Sequence, residues 1–110
     1  MPSAAKLAKE TLRYARINAT TEGGENTIVA AVEGRKIIPV GYVFTPTAEG
    51  TVEFKTSSAT HASFNCAKQG GVSYAGGPES PAFECAEGKA LVLVTPAATK
   101  VFGHLTYVLT

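Results

Sequence analysis

The feature that most constrains this chain is a two-residue alternation of apolar and polar side chains, cut repeatedly by Gly, Pro and Asn. It begins after the turn cluster Glu22-Gly23-Gly24-Glu25-Asn26. Residues 27–33 form a β-branched run that ends at Gly34, and residues 36–44 place Ile38, Val40, Tyr42 and Phe44 at every second position. Successive side chains of a strand point to opposite faces, so this spacing predicts strands with one buried face. Pro39 falls inside the second run and has no N–H to give to a ladder, which predicts an edge strand or a bulge there. The Thr45-Pro46-Thr47-Ala48-Glu49-Gly50 turn then leads into 51–56, with Val52 and Phe54 inward and Glu53 and Lys55 outward, a pattern read as a hairpin with 36–44.

Further strands are expected at 62–67 and 83–86, separated by a Gly/Pro/Ser-rich loop over 69–82 with one short strand at 72–74. Residues 90–95 are apolar at successive positions and predict a central strand covered on both faces, and 101–109 predict the last strand. Turn signals at spacings of roughly 8–12 residues, with no helical period in the interior, indicate an all-β chain: a single antiparallel β-sandwich or barrel of about eight strands. A chain of 110 residues supports one such domain without metal or disulfide staples.

The start of the chain differs from the rest. Residues 1–16 hold Lys6, Lys9, Arg13 and Arg16 against Glu10, whereas the remainder carries more acids than bases. Ala4, Leu7, Ala8 and Thr11 lie near one face of a helix, while Leu12 and Tyr14 alternate with Arg13 and Ala15 as in a strand. The domain plan is therefore an N-terminal arm over 1–16, with room for a first strand at its end, and a sandwich domain over 17–110. A net charge of +1 gives no global attraction for nucleic acid. The longest apolar runs fall far short of the ~20 residues of a membrane-spanning helix, and no basic-then-apolar leader opens the chain. Neither a nucleic-acid nor a membrane partner is expected.

All nine acids are Glu. The absence of Asp removes the usual orienter of a Ser-His-Asp triad and an aspartic dyad. Glu49, Glu53, Glu84 and Glu87 fall at turns or on outward faces, where charge serves solubility. Cys66 and Cys85 stand in matching contexts, Phe64-Asn65-Cys66 and Phe83-Glu84-Cys85, and two readings stay open: a disulfide, or two buried thiols behaving as small hydrophobes. His61 at a strand start and His104 inside the last strand lack the flanks of a nucleophile–base motif, and no spacing suits a metal. The expectation is no enzyme, no cofactor and no metal. The paired glycines at 23–24, 70–71 and 76–77 do not open a helix after a strand, so they are turns. Tyr42, Tyr74 and Tyr107 are available for a shallow site, with Tyr42 and Tyr107 expected at core edges.

The stretch Ile28-Val29-Ala30-Ala31-Val32-Glu33-Gly34-Arg35-Lys36-Ile37-Ile38-Pro39-Val40-Gly41-Tyr42 resembles the opening strands of small tailed-bacteriophage virion proteins, in which an apolar strand runs through a Gly-basic-basic turn into the next. Glu87-Gly88-Lys89-Ala90-Leu91-Val92-Leu93 followed by Val101-Phe102-Gly103-His104-Leu105-Thr106-Tyr107 resembles the last hairpin of the same group. The resemblance spans roughly residues 27–110 and consists of strand and turn residues. It implies a jelly-roll or tumour-necrosis-factor-like sandwich that assembles as a homotrimer. It further implies a capsid decoration (cement) protein, made in the host cytoplasm and seated on the phage head, whose partner is the major capsid protein. Leu7, Leu12, Arg13, Tyr14 and Arg16 are the candidate capsid-contact residues. The competing expectation is a ligand- or receptor-binding sandwich of a phage tail, taking a glycan or a protein, with its site at the 69–82 loop and the tyrosines.

Overall fold

The structure, a computed structural model, describes residues 12–56, 59–76 and 80–110. Eight strands occur among them: β1 (Arg13–Ala19), β2 (Glu25–Val29), β3 (Ile37–Pro46), β4 (Gly50–Thr56), β5 (Ala59–Cys66), β6 (Val72–Ala75), β7 (Leu91–Val94) and β8 (Val101–Leu109). They form two antiparallel four-stranded sheets, the first in the order β1-β8-β3-β6 and the second in the order β2-β7-β4-β5. This is the strand order of a jelly roll: all but one of the connections cross from one sheet to the other, which leaves β4–β5 as the hairpin. The expected β-sandwich of about eight strands is what the chain forms.

Two expectations are corrected. Residues 36–44 and 51–56 do not make a hairpin, because β3 and β4 lie in different sheets and the 45–50 turn is an arch between them. Their inward side chains still meet, but across the sandwich: the rings of Phe44 and Phe54 are 5.9 Å apart and edge-to-face. A buried face is patterned alike whether the partner strand is a ladder neighbour or the opposite layer, so alternation by itself does not separate the two. Residues 83–86 are not a strand either. Ala82 and Cys85 donate their N–H groups to the carbonyls of Pro39 and Ile37, so this segment shadows the start of β3 without a regular ladder.

Pro39 sits where the sequence predicts an irregularity, at a bulge between Pro39 and Gly41 in the β3–β8 ladder. The bulge resets the phase of the strand: Ile38 and Val40 face outward before it, and Tyr42 and Phe44 face inward after it. Residues 91–94 are central in the second sheet, between β2 and β4, with Leu91 and Leu93 fully buried. Thr56, Asn26, Thr95 and Thr99 are buried polar residues, and among the described residues no buried side-chain nitrogen or oxygen lacks a hydrogen bond. At the basic turn, Arg35 donates from Nε and Nη2 to the carbonyls of Thr110 and Leu109, which ties the end of β8 to the start of β3.

Gly103 occupies a position in β8 where no larger residue fits, since a Cβ there would collide with the Val43 carbonyl and the Phe44 backbone. Gly71 faces open space by comparison, its nearest neighbour being the Phe44 carbonyl oxygen at 4.0 Å. Gly103→Ala is therefore expected to cost about 1–3 kcal/mol or more through strain in the first sheet, and Gly71→Ala to stay within about 0.5 kcal/mol. Urea unfolding checks this through the midpoint at constant slope; equal midpoints for the two variants would contradict the close approach.

Candidate functional site

Directly paired residues in an antiparallel ladder share a face, so the registers give the outer surface of the first sheet row by row. One row is Tyr14, Thr106, Gly41 and Ala75; the next is Arg16, His104, Val43 and Ser73; a third is Asn18, Phe102 and Thr45. Ile38 pairs with Val108 at the far end. Of the large hydrophobic side chains left exposed, Tyr14, Val43 and Phe102 lie on this face and Leu12 at its margin. Tyr14 is the extreme case at 75 % exposure.

The face is also nearly free of charge. Its strand residues include no carboxylate, and Arg16 is their one full charge; Lys36, opposite Thr110 in the row beyond Ile38 and Val108, adds a second cation at the far end, where it pairs with Glu84. The outer surface of the second sheet is built differently: Glu25, Val94, Glu53 and Ser63 form one row there, and Thr27, Val92, Lys55 and Thr60 another. One side of the sandwich is therefore charged, and the other combines few charges with exposed aromatic side chains, the composition found at the core of protein interfaces.

A groove of about 380 Å³ runs over the bulge on this face. Gly41 has no side chain to fill the kink, and Leu12, Val40, Val43, His104 and Thr106 form the surrounding walls. Its far end is made by Ser73, Tyr74 and Gly76, beyond the β6 edge. Tyr74 donates its hydroxyl to the Ser80 carbonyl at 2.7 Å and stacks on Tyr42 with centroids 5.8 Å apart. Burial, and secondarily the neighbouring Tyr74, pushes the Tyr42 hydroxyl pKa up.

The residues singled out from the sequence divide clearly. Tyr14 and Arg16 lie together on the outer face with Leu12 at its edge, and Arg13 alternates to the other side of β1. Leu7 and the other arm residues up to 11 lie outside the described residues. Residues 13–16 of the expected arm belong to β1, which continues to Ala19. Val43, Phe102 and Thr106 are on the face and escaped the sequence. The available signal was an apolar residue out of phase in an alternating run, Val43 between Tyr42 and Phe44 and Phe102 next to Val101.

Of the two readings left open for Cys66 and Cys85, the structure has the buried thiols. Cys66 is opposite Gly50 at one end of β4, while Cys85 hydrogen-bonds with Thr56 at the other end. Six residues of strand at about 3.3 Å each separate the two sites by roughly 20 Å, well beyond the ~7 Å limit for a disulfide. Both are free buried thiols. Burial raises both thiol pKa values, with the Thr56 hydroxyl pulling that of Cys85 partly back. A buried, protonated thiol is a weak nucleophile.

His61 hydrogen-bonds Thr56 Oγ1 at 2.8 Å and lies flat on Phe83, with ring centroids 4.9 Å apart. A chain His61–Thr56–Cys85 thus closes the end of the sandwich and pins the 82–85 segment. His104 is instead exposed on the outer face. Among the described residues, no group of three or more His, Cys, Asp or Glu could hold a metal ion. Glu84 makes a surface pair with Lys36 at 3.7 Å, a contact of little energetic weight.

No protein-family model, curated protein or solved structure matches this chain.

Burial lowers the His61 pKa below its ordinary 6.5. The unfolded chain therefore binds the proton more readily, so this contribution to stability is complete above the ordinary value and is lost as pH falls below it. Urea midpoints at about pH 7.5 and about pH 5 are expected to differ less in His61→Gln than in the parent. An unchanged difference would remove His61 from the acid response. For the thiols, a disulfide-exchange chromophore is expected to react slowly with the native protein and to count two thiols per chain after denaturation. A count of zero in denaturant without reductant would restore the disulfide.

Proposed function

We propose that this chain is a structural virion protein, a homotrimeric decoration protein that binds the major capsid protein on the outside of a phage head and stabilises the shell. The observation that carries the proposal is the contrast between the two outer faces: a charged one, and one whose strand residues include no carboxylate but three exposed large hydrophobic side chains and a basic strand edge. The first-sheet face is the shell-contact side, and the second sheet faces solution. Its capsid-contact residues are Leu12, Tyr14 and Arg16, with Val43 and Phe102 added from the fold and Leu7 retained from the sequence; Arg13, turned to the other side of β1, leaves the set.

Magnitudes support a trimer. Strands of about nine residues at ~3.3 Å, four abreast at ~4.8 Å, make a face of roughly 500 Å². That is less than the ~800 Å² per partner of a standard stable interface. One subunit therefore binds weakly, and three joined subunits present about three times the area and gain from effective concentration. Because the trimer binds only the assembled shell, its binding free energy adds to the stability of that state. The step is association, with no bond made or broken.

A second reading rests on the groove. Its end at Ser73 and Tyr74 falls in the 69–82 loop, the place expected for a glycan or protein ligand of a tail module. A cavity of about 380 Å³ is within the size range of small-ligand sites.

Light scattering on a size-exclusion column is expected to give a native mass near three chains. Co-sedimentation with empty shells is expected to fall at least tenfold in Phe102→Ala and Tyr14→Ala, the loss of about 1.4 kcal/mol or more that marks a buried aromatic contact. Thr27→Ala on the opposite face should bind like the parent. Equal losses from both faces, or a monomer that binds a glycan array and ignores shells, would transfer the function to the ligand-binding reading.

A further inference from the structure

The β4–β5 ladder breaks its register close to one end. The pairing passes from Phe54 with Ala62 to Lys55 with Thr60, so His61 is the extra residue of a bulge. A bulge re-aims a side chain, and bulges are over-represented beside functional sites. This one directs the imidazole onto the 82–85 segment. The ring lies flat on Phe83, with 4.9 Å between centroids and 4° between planes, and Nε2 is 2.8 Å from Thr56 Oγ1. Thr56, itself buried, passes the contact on to the buried Cys85.

The segment is held thinly. Among the described residues it makes two backbone bonds to β3, from the Ala82 N–H to Pro39 and from the Cys85 N–H to Ile37. A stretch with so few bonds opens at a lower cost than a strand with a ladder on each side. Phe83 also meets Phe54, 5.7 Å between centroids, so lifting the segment uncovers a core ring together with the imidazole. Both flanks are anchored. The Tyr74 hydroxyl holds the Ser80 carbonyl before it, and the Gly88 N–H donates to the Arg35 carbonyl after it. An opening between those two points stays local.

We propose that residues 82–85 are an acid-released strap: neutral His61, acting through Thr56 and Phe83, positions it over the Phe54 end of the sandwich, and protonation of His61 releases it. A neutral imidazole nitrogen either accepts from the Thr56 hydroxyl or donates to it, whereas an imidazolium can only donate. The closed strap keeps water from one face of the ring, and burial lowers the His61 pKa below its ordinary 6.5. Opening returns the ring to water, where it takes a proton more readily. The hold is therefore complete above the ordinary value and is lost as pH falls below it.

The titratable and charged groups on the elements packed around His61 are few. On β4, Glu53 and Lys55 stand on the outer rows of the second sheet. On the strap, Cys85 reaches the imidazole through Thr56, and Glu84 pairs with Lys36. Cys66 lies at the other end of β5. The inference does not depend on what the outer face of the first sheet docks against.

Amide hydrogen exchange of the full chain tests it, read as protection factors so that the intrinsic pH dependence of exchange cancels. Between about pH 7.5 and about pH 5, protection at Ala82 and Cys85 is expected to fall about three- to tenfold. Leu93 and Leu105, in the central strands β7 and β8, should keep theirs. His61→Gln leaves a polar group beside Thr56 that does not titrate, so strap protection should become independent of pH. Glu84→Gln should leave the fall in place. In the parent chain, which needs no substitution, the midpoint of the fall should match that of the His61 ring signals. A fall shared equally by Leu93 and Leu105 would make the event global and overturn the strap. Constant protection at Ala82 and Cys85, a fall that survives in His61→Gln or vanishes in Glu84→Gln, or a midpoint away from the His61 titration would each do the same.

Discussion

The structure depends on aromatic rings that meet between the two sheets. Phe44 from β3 and Phe54 from β4 pack edge-to-face, and Phe64 of β5 closes on both at 5.5 and 6.2 Å. Tyr42 adds a fourth ring, 5.2 Å from Phe54. Burying each large side chain stabilises by about 1.5–3 kcal/mol, and edge-to-face geometry adds roughly another 0.5–1.5 kcal/mol per pair. These rings decide which side of β3, β4 and β5 is inner. With period-2 geometry, that decision also settles which residues are left outside. Gly103 belongs to the same arrangement, because the β3 backbone that carries Phe44 comes too close to β8 for any side chain there.

The bulge at Val40 links this interior to the outer face. β3 has to present Ile37 and Pro39 inward at its start and Tyr42 and Phe44 inward further on, which an uninterrupted two-residue period does not allow. One inserted residue restores the phase. Pro39 fits beside it because a bulge needs one ladder bond fewer, and its carbonyl is used by Ala82. The kink leaves Gly41 at the floor of the groove. A requirement of core packing has thus produced the concavity on the opposite side of the sheet.

The two outer faces then express different solvation demands. Glu25, Glu53 and Lys55 keep the second sheet wet, as a half-buried antiparallel sheet ordinarily requires. The first sheet retains apolar area that water would rather not cover, arranged around a groove and next to the basic entry of the chain. The proposed virion contact takes this apolar face as its docking surface.

By itself the sequence determined the fold class, most strand positions and the inward residues of β4, because these follow from local alternation and turn chemistry; in β3 the missing N–H of Pro39 marked the irregularity, but alternation put Ile38 and Val40 on the face of Tyr42 and Phe44, and the bulge turns them to the other. Tyr14 and Arg16 share a side because they fall on alternate positions of a single strand, whereas Arg13, grouped with them from the sequence, alternates to the other. The sequence did not determine which strands are neighbours. Whether Phe44 and Phe54 share a ladder or oppose each other across the core depends on contacts between residues distant along the chain, and both arrangements bury the same side chains. For the same reason Cys66 and Cys85, alike in local context, turned out to sit at opposite ends of β4. The apolar outer face is a product of tertiary structure. Tyr14, Val43 and Phe102 come from three strands far apart in sequence, and only the β1-β8-β3 order brings their outward sides onto one surface.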